Sequence, residues 1–388
     1  MNGEAFSGFE NVLATEGPKA ALDHLATRFR EEKDYPHLFE ARLMAKRHEL
    51  GLPLIDAGDS ADLPEQSRKS YDQAFLDAAA EVGRLFLADG NIERAWPYLR
   101  ATGEVMPVRE AIDKLTTEQS TDGVLEIALG ERVHPRKGFE LILGAHGICR
   151  AITFYHQYPD RKTRLDCLRL LVRRLHADLG ENLKRSLERS GETPPDTTSV
   201  RELIAGRDWL FGEHSYYIDS SHLAEVVRFS TDLDDDETLA LSLELAEYGR
   251  CLSSMFQYRG DPPFEDVYTD HAVYFRALLG QEQDAAVEHF RRKVAEADPD
   301  QSGTIPAQVL VTLLARIGRY TEAIDVSLEY LNDTPRSQLG CPSVLELCQA
   351  AGDYSRLQEV ARSQEDLLGF AAGALKKMDP GALISRST

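Results

Sequence analysis

Several residues and patterns on which recognisable chemistry is usually built are scarce in this chain. Its five cysteines, Cys149, Cys167, Cys251, Cys341 and Cys348, are scattered, form no C-x-x-C pair and are odd in number. That excludes a closed disulfide framework and predicts reduced thiols, most of them in the core. No run of 18 apolar residues occurs, and the first residues, MNGEAFSGFENVL, lack both a basic start and an apolar stretch, so neither membrane insertion nor export is expected. The expected compartment is the cytoplasm. Positive charge is short as well: 44 Lys and Arg stand against 65 Asp and Glu, a net charge of −21. A chain so acidic repels nucleic acid and anionic lipid, so neither is an expected partner. The G-x-S-x-G elbow, the G-x-x-x-x-G-K-[ST] loop, the G-x-G-x-x-G fingerprint and the kinase signature are all missing, which disfavours a serine hydrolase, a nucleotide-driven enzyme and a classical dehydrogenase. Alternating apolar and polar runs of useful length are missing too, so the expected fold is all-α.

Helical periodicity fills the space left by these absences. Residues 18–31 (PKAALDHLATRFRE) place Leu22, Leu25 and Phe29 on one stripe, and 70–88 do the same with Phe75, Ala78, Val82 and Phe86. Residues 161–189 align Leu168, Leu171, Leu175, Leu179, Leu183 and Leu187 along a helix whose other faces are basic. That basic face fits either pairing with the protein's own acids or binding of an anionic ligand. Turn formers concentrate in 51–67, 190–199 and 259–266, where Pro262 and Pro263 forbid helix.

The helices are punctuated at intervals. Gly280, Gly318 and Gly352 each stand five residues before an Ala or Leu (Ala285, Ala323, Leu357), at spacings of 38 and 34 residues, and Gly90 precedes Ala95 in the same way. A glycine relieves a tight turn and a small residue in the next turn lets helices approach closely. The second spacing equals the tetratricopeptide period. Residues 277–365, and to a lesser degree 70–106, resemble tetratricopeptide (TPR-like) helical repeats in architecture. The resemblance implies a right-handed superhelix of antiparallel hairpins whose groove takes a protein or peptide partner. Three regions follow: N-terminal hairpins over 1–125, a central segment over 126–276 and C-terminal repeats over 277–388.

The central segment interrupts the repeat pattern and concentrates histidines. His146, Cys149, Thr153 and His156 fall within an arc of about 80° on a continuous helix, which reads as a core-facing stripe bordered by histidines. A second cluster runs Glu213-His214 to Asp219-Ser220-Ser221-His222. Asp219 or Ser220 is a fitting N-cap, and an imidazole in the first turn meets the positive end of the helix dipole, which favours its neutral form. Neutral imidazole ligates metals. The sequence therefore supports two functions: an interaction scaffold with a ligand pocket in the central segment, or a metal-dependent enzyme, such as a hydrolase, with a His/carboxylate site in residues 131–276. In the second reading His146, His214 and His222 hold a divalent transition metal and Glu213 or Asp219 is base or fourth ligand. Two acidic stretches resemble cation sites more superficially. Residues 298–309 match a calcium loop at Asp298, Asp300, Ser302 and Gly303 but end on Val309, where a bidentate Glu is required. Asp232, Asp234, Asp235 and Asp236 precede a helix and read as dipole complements.

Overall fold

A computed structural model describes residues 2–55, 64–158 and 160–378. Part of the expected 51–67 loop and the last ten residues of the C-terminal region lie outside the described residues. Among the described residues there is no strand, only one isolated bridge between Arg259 and Asp266. The chain forms two compact units, Met1–Ala151 and Ile152–Thr388.

The first unit is built from α1 (Asn2–Glu16), α2 (Pro18–Glu31), α3 (Tyr35–Glu49), α4 (Glu65–Ala88), α5 (Ile92–Thr102), α6 (Val105–Asp113) and the short α7 (Asp122–Leu125). The last runs through a π-helical turn at Glu126–Gly130 towards α8 (Pro135–Gln157), within which the unit boundary falls. Consecutive helices pack on one another from α1 to α6. Helix α2 coincides with the periodic stretch read from sequence, with Pro18 in its first turn, where a missing N–H costs nothing. Helix α4 starts five residues before the expected 70, at Glu65. Its core stripe holds Ala78, Val82 and Phe86, whereas Phe75 is 37% exposed and packs edge-on to Phe39 instead. Helices α4 and α5 cross at Gly83, where an added Cβ would lie 2.5 Å from Leu99 Cγ, so only a bare backbone fits.

The second unit opens with α9 (Arg161–Arg189), matching the predicted basic helix residue for residue, and all six of its stripe leucines are buried. Around it pack α10 (Val200–Ile204), α11 (Ser220–Phe229) and α12 (Asp236–Cys251). Paired helices follow: α13 (Val267–Leu278), α14 (Gln283–Glu296), the single turn α15 (Pro299–Ser302), α16 (Ile305–Arg316), α17 (Tyr320–Tyr330), α18 (Val344–Ala351), α19 (Tyr354–Ser363) and α20 (Leu367–Met378). The turns are chemically specific. Gly318 and Gly352 adopt φ of +79° and +69°, a left-handed conformation that side chains disfavour. After each, the next N–H reaches back into the finished helix, Arg319 N to Leu314 O at 2.8 Å and Asp353 N to Cys348 O at 3.0 Å. Asp353 then caps α19 by accepting from Arg356 N. Ala323 is fully buried on α17, as its spacing from Gly318 predicts.

The cysteines depart from expectation. Only Cys167 and Cys348 are buried, while Cys149 and Cys251 are exposed, because the latter two sit on outward faces of helices whose apolar stripes lie elsewhere.

Candidate functional site

The stripe expected to face the core does not. His146, Cys149, Thr153 and His156 are all exposed, and the buried residues of α8 are Gly138, Phe139, Leu141, Ile142, Leu143, Ala151, Ile152 and Tyr155. The backbone leaves helical geometry at Gly147 (φ +75°, ψ −174°), so residues on its two sides do not share one continuous register. His146 lies in the first unit with Arg150 Nη1 at 3.4 Å from both ring nitrogens.

The Glu213–His222 cluster lies in the second unit, on the connection into α11. Asp219 is its N-cap: Oδ1 accepts from Ser221 N at 2.9 Å, Ser221 Oγ at 2.5 Å and His222 N at 3.2 Å. The Ser221 hydroxyl is the main reason that the Asp219 carboxyl is held below its usual range, with the His222 N–H adding to it against partial burial. His222 therefore occupies the first turn, as expected. The backbone before it is pinned: Tyr217 N donates to Tyr248 Oη at 3.0 Å, Asn182 Nδ2 donates to Tyr217 O at 2.7 Å, and Ser253 Oγ donates to Glu213 O at 2.7 Å. The side chains of Glu213 and His214 point to solvent. Among the described residues, no group of three or more His, Cys, Asp or Glu side chains stands where it could hold a metal ion.

The remaining charged motifs find partners within the protein. Arg169 on α9 reaches Asp234 and Asp235, and Arg173 reaches Glu237, so part of the basic face is neutralised by the acidic run. Asp235 also caps α12 through Thr238 N at 2.8 Å. Asp298 caps α15, accepting from Asp300 N at 3.0 Å and Gln301 Nε2 at 2.8 Å. Its calcium-like spacing serves a turn.

An open cleft of a size suited to a ligand lies in the first unit between α2, α3 and α4. Its volume is about 500 Å³, within the range of small-ligand sites. Leu22, Ala45, Ala74 and Ala78 form an apolar floor, and charged side chains of both signs form the walls. Arg42 grips Glu81 with two prongs, Nε to Oε2 at 2.9 Å and Nη2 to Oε1 at 3.1 Å, and Arg30 reaches the same carboxylate. This pairing with Glu81 raises the Arg42 guanidinium further above its ordinary value, so it is charged at any physiological pH. Lys46 pairs with Glu49 at 2.9 Å. The exposed rim residues Lys19 and His48 remain available to an incoming group. Of these residues only Leu22 and Ala78 stood out in the sequence, as members of core stripes rather than of a cleft. The available signal was the alanine content of AFLDAAAEVG, where Ala74 and Ala78 fall four apart on one helix face. Read alone, that pattern marks close packing rather than a cleft.

Compared with known proteins, the chain matches no family model, no curated protein and no solved structure. No helix among the described residues is long and apolar enough to cross a membrane.

Proposed function

We propose that this protein is an interaction module whose α2–α4 cleft seats a short peptide segment of a partner protein. The supporting observation is the composition of that cleft. Alanines at 45, 74 and 78 keep its floor open and apolar, while the walls offer Lys19, Arg42, Lys46 and His48 as donors and Asp23, Glu49, Asp77 and Glu81 as acceptors. A peptide main chain presents N–H and C=O groups in alternation, and walls of both signs satisfy both. A single-signed ligand meets like charges on either side. Pairing within the walls, Arg42 with Glu81 and Lys46 with Glu49, pre-orders the side chains and lowers the entropy lost on binding. The glycine-punctuated hairpins of the second unit support a TPR-like superhelical array there, a type of scaffold that commonly carries peptide grooves.

The test is selection of binders from a random peptide library on the whole protein, followed by fluorescence polarisation with the recovered peptides. Ala74→Trp fills the cleft from an intermediate position on α4. It is expected to weaken binding at least about tenfold with the thermal midpoint retained. Recovery of peptides that bind Ala74→Trp as well as they bind the native chain would place the site elsewhere and overturn the reading.

A further inference from the structure

The α2–α4 cleft sorts its charges along its length. Side-chain contacts fix the register of its three helices. Phe29 stacks on His37 at 5.3 Å and Arg42 Nη1 lies 3.9 Å from Asp23 Oδ1, so α2 and α3 run antiparallel, with Asp23 level with Arg42 and Lys19 level with Lys46. Tyr35 meets Phe86 at 4.9 Å and Arg47 Nη2 donates to Tyr71 Oη at 2.8 Å, so α3 and α4 are antiparallel too, with Ala74 level with Ala45 and Asp77 level with Arg42. One end of the cleft therefore holds Lys19, Lys46, His48 and Glu49, and the other holds Asp23, Arg42, Asp77 and Glu81.

Pairs within each end cancel: Lys46 with Glu49 at 2.9 Å, and Arg42 with Glu81 at 2.9 Å. What they leave over differs between the ends. The first keeps the exposed Lys19 ammonium and the exposed His48 ring. The second keeps the exposed carboxylates of Asp23 and Asp77. Asp77 accepts from the neutral Gln73 amide at 2.9 Å, which leaves its charge intact, and Arg42 makes its close contacts with Glu81 rather than Asp23. Arg30 also reaches Glu81 and offsets one of the three carboxylates there, so the second end is still negative and the first positive. We propose, resting on the reading of this cleft as a peptide site, that its ligand is a dipolar peptide, with an acidic residue at the Lys19–His48 end and a basic residue at the Asp23–Asp77 end. Lys19 and Asp23 are about 6 Å apart along α2, and His48 is about 9 Å along α3 from the level of Asp77. An extended chain advances about 3.3 Å per residue, so the two charged residues stand two or three positions apart in the peptide. The apolar floor is common to every ligand, while the charged ends choose among them.

The probes are library peptides that bind the native whole chain and lose binding to Ala74→Trp, resynthesised with acetylated and amidated ends so that no terminal charge contributes. They are expected to carry an acid and a base two or three positions apart. Replacing the acid by Lys, or the base by Glu, is each expected to weaken binding about fivefold in fluorescence polarisation at low salt, with the difference shrinking at high salt. The exposed Lys19→Glu variant is expected to restore the peptide with two lysines, and Asp23→Lys the peptide with two acids, each with the thermal midpoint retained. Peptides that Ala74→Trp excludes but that tolerate both replacements overturn the dipolar ligand and leave the peptide site standing. A loss that neither protein variant restores also overturns it, because the peptide charges then act elsewhere. Peptides indifferent to Ala74→Trp overturn the peptide site itself.

Discussion

Two places in the second unit each bring together a histidine, a carboxylate and a serine. In one, Asp219, Ser221 and His222 are neighbours in sequence. In the other, His176, Ser199 and Glu244 come from α9, the start of α10 and α12, and meet only because those helices pack. The first group is at the surface. Its carboxylate is taken up by helix capping, a local task that needs nothing beyond residues two and three positions ahead. The second is enclosed. Glu244 accepts from His176 Nε2 at 2.7 Å, Ser199 Oγ at 2.5 Å and Val200 N at 2.8 Å, and His176 is only 6% exposed. Burial works to raise the Glu244 carboxyl, and these three hydrogen bonds outweigh it and hold the group below its usual range. Proximity along the chain thus marked the less consequential group, because residues a turn apart satisfy each other locally. Only residues from distant helices can be sealed together.

This contrast can be broken or sharpened by measurement, with the largest effect at Glu244. Removing its carboxylate leaves His176, Ser199 Oγ and the Val200 N–H without their acceptor inside the protein, and Glu244→Ala is expected to cost about 3 kcal/mol. Trp96 lies in the first unit and Trp209 in the second, so urea denaturation of a Trp96→Phe background reports the second unit alone. An unchanged midpoint would mean that the enclosed cluster is no more important than the surface one.

His271 supplies the pH dependence. It is 2% exposed, stacked on Phe264 at 4.2 Å, and donates from Nδ1 to Val267 O at 2.5 Å. Burial pushes its imidazolium down to about 4 from the ordinary 6.5. Above pH 6.5 the ring is neutral in both states and costs nothing. As pH falls from 6.5 towards 4 the unfolded chain binds the proton and the folded one does not, so stability drains by about 1.4 kcal/mol per pH unit, roughly 3 kcal/mol in all. His271→Phe keeps the stacking and removes the titration. Denaturation at pH 6.5 and 4.5 is expected to show a markedly flatter loss in that variant. Equal slopes would show that His271 is hydrated.

The smallest effects belong to the surface cluster. Asp219→Ala removes one cap and is expected to cost about 1 kcal/mol, while Glu213→Ala and His214→Ala are expected to stay within about 0.5 kcal/mol. A loss at Glu213 or His214 comparable to that at Glu244 would erase the distinction between the two groups.

Helix type and extent were largely legible. Residues 18–31 and 161–189 form helices with those bounds, since a leucine stripe at 3.6 spacing and a proline or aspartate at the start are local signals. The stripe on α8 was misread because Ala151, Ile152 and Tyr155 carry the core on a different face from Cys149, Thr153 and His156, and because Gly147 breaks the helix and detaches His146 from the register that the spacing assumed. The α2–α4 cleft was not legible at all. Alanines at 45, 74 and 78 read equally well as close packing, and only the separation of three helices makes them a floor.

By itself, the sequence determined that the chain is helical, where helices such as 18–31 and 161–189 begin and end, and which turns need glycine, because capping, periodicity and left-handed turns depend on residues within a few positions of one another. Tertiary structure alone decided which charges are buried, which histidines are enclosed and where a cleft stays open. Those properties belong to surfaces that meet across tens of residues, and no local spacing encodes the meeting.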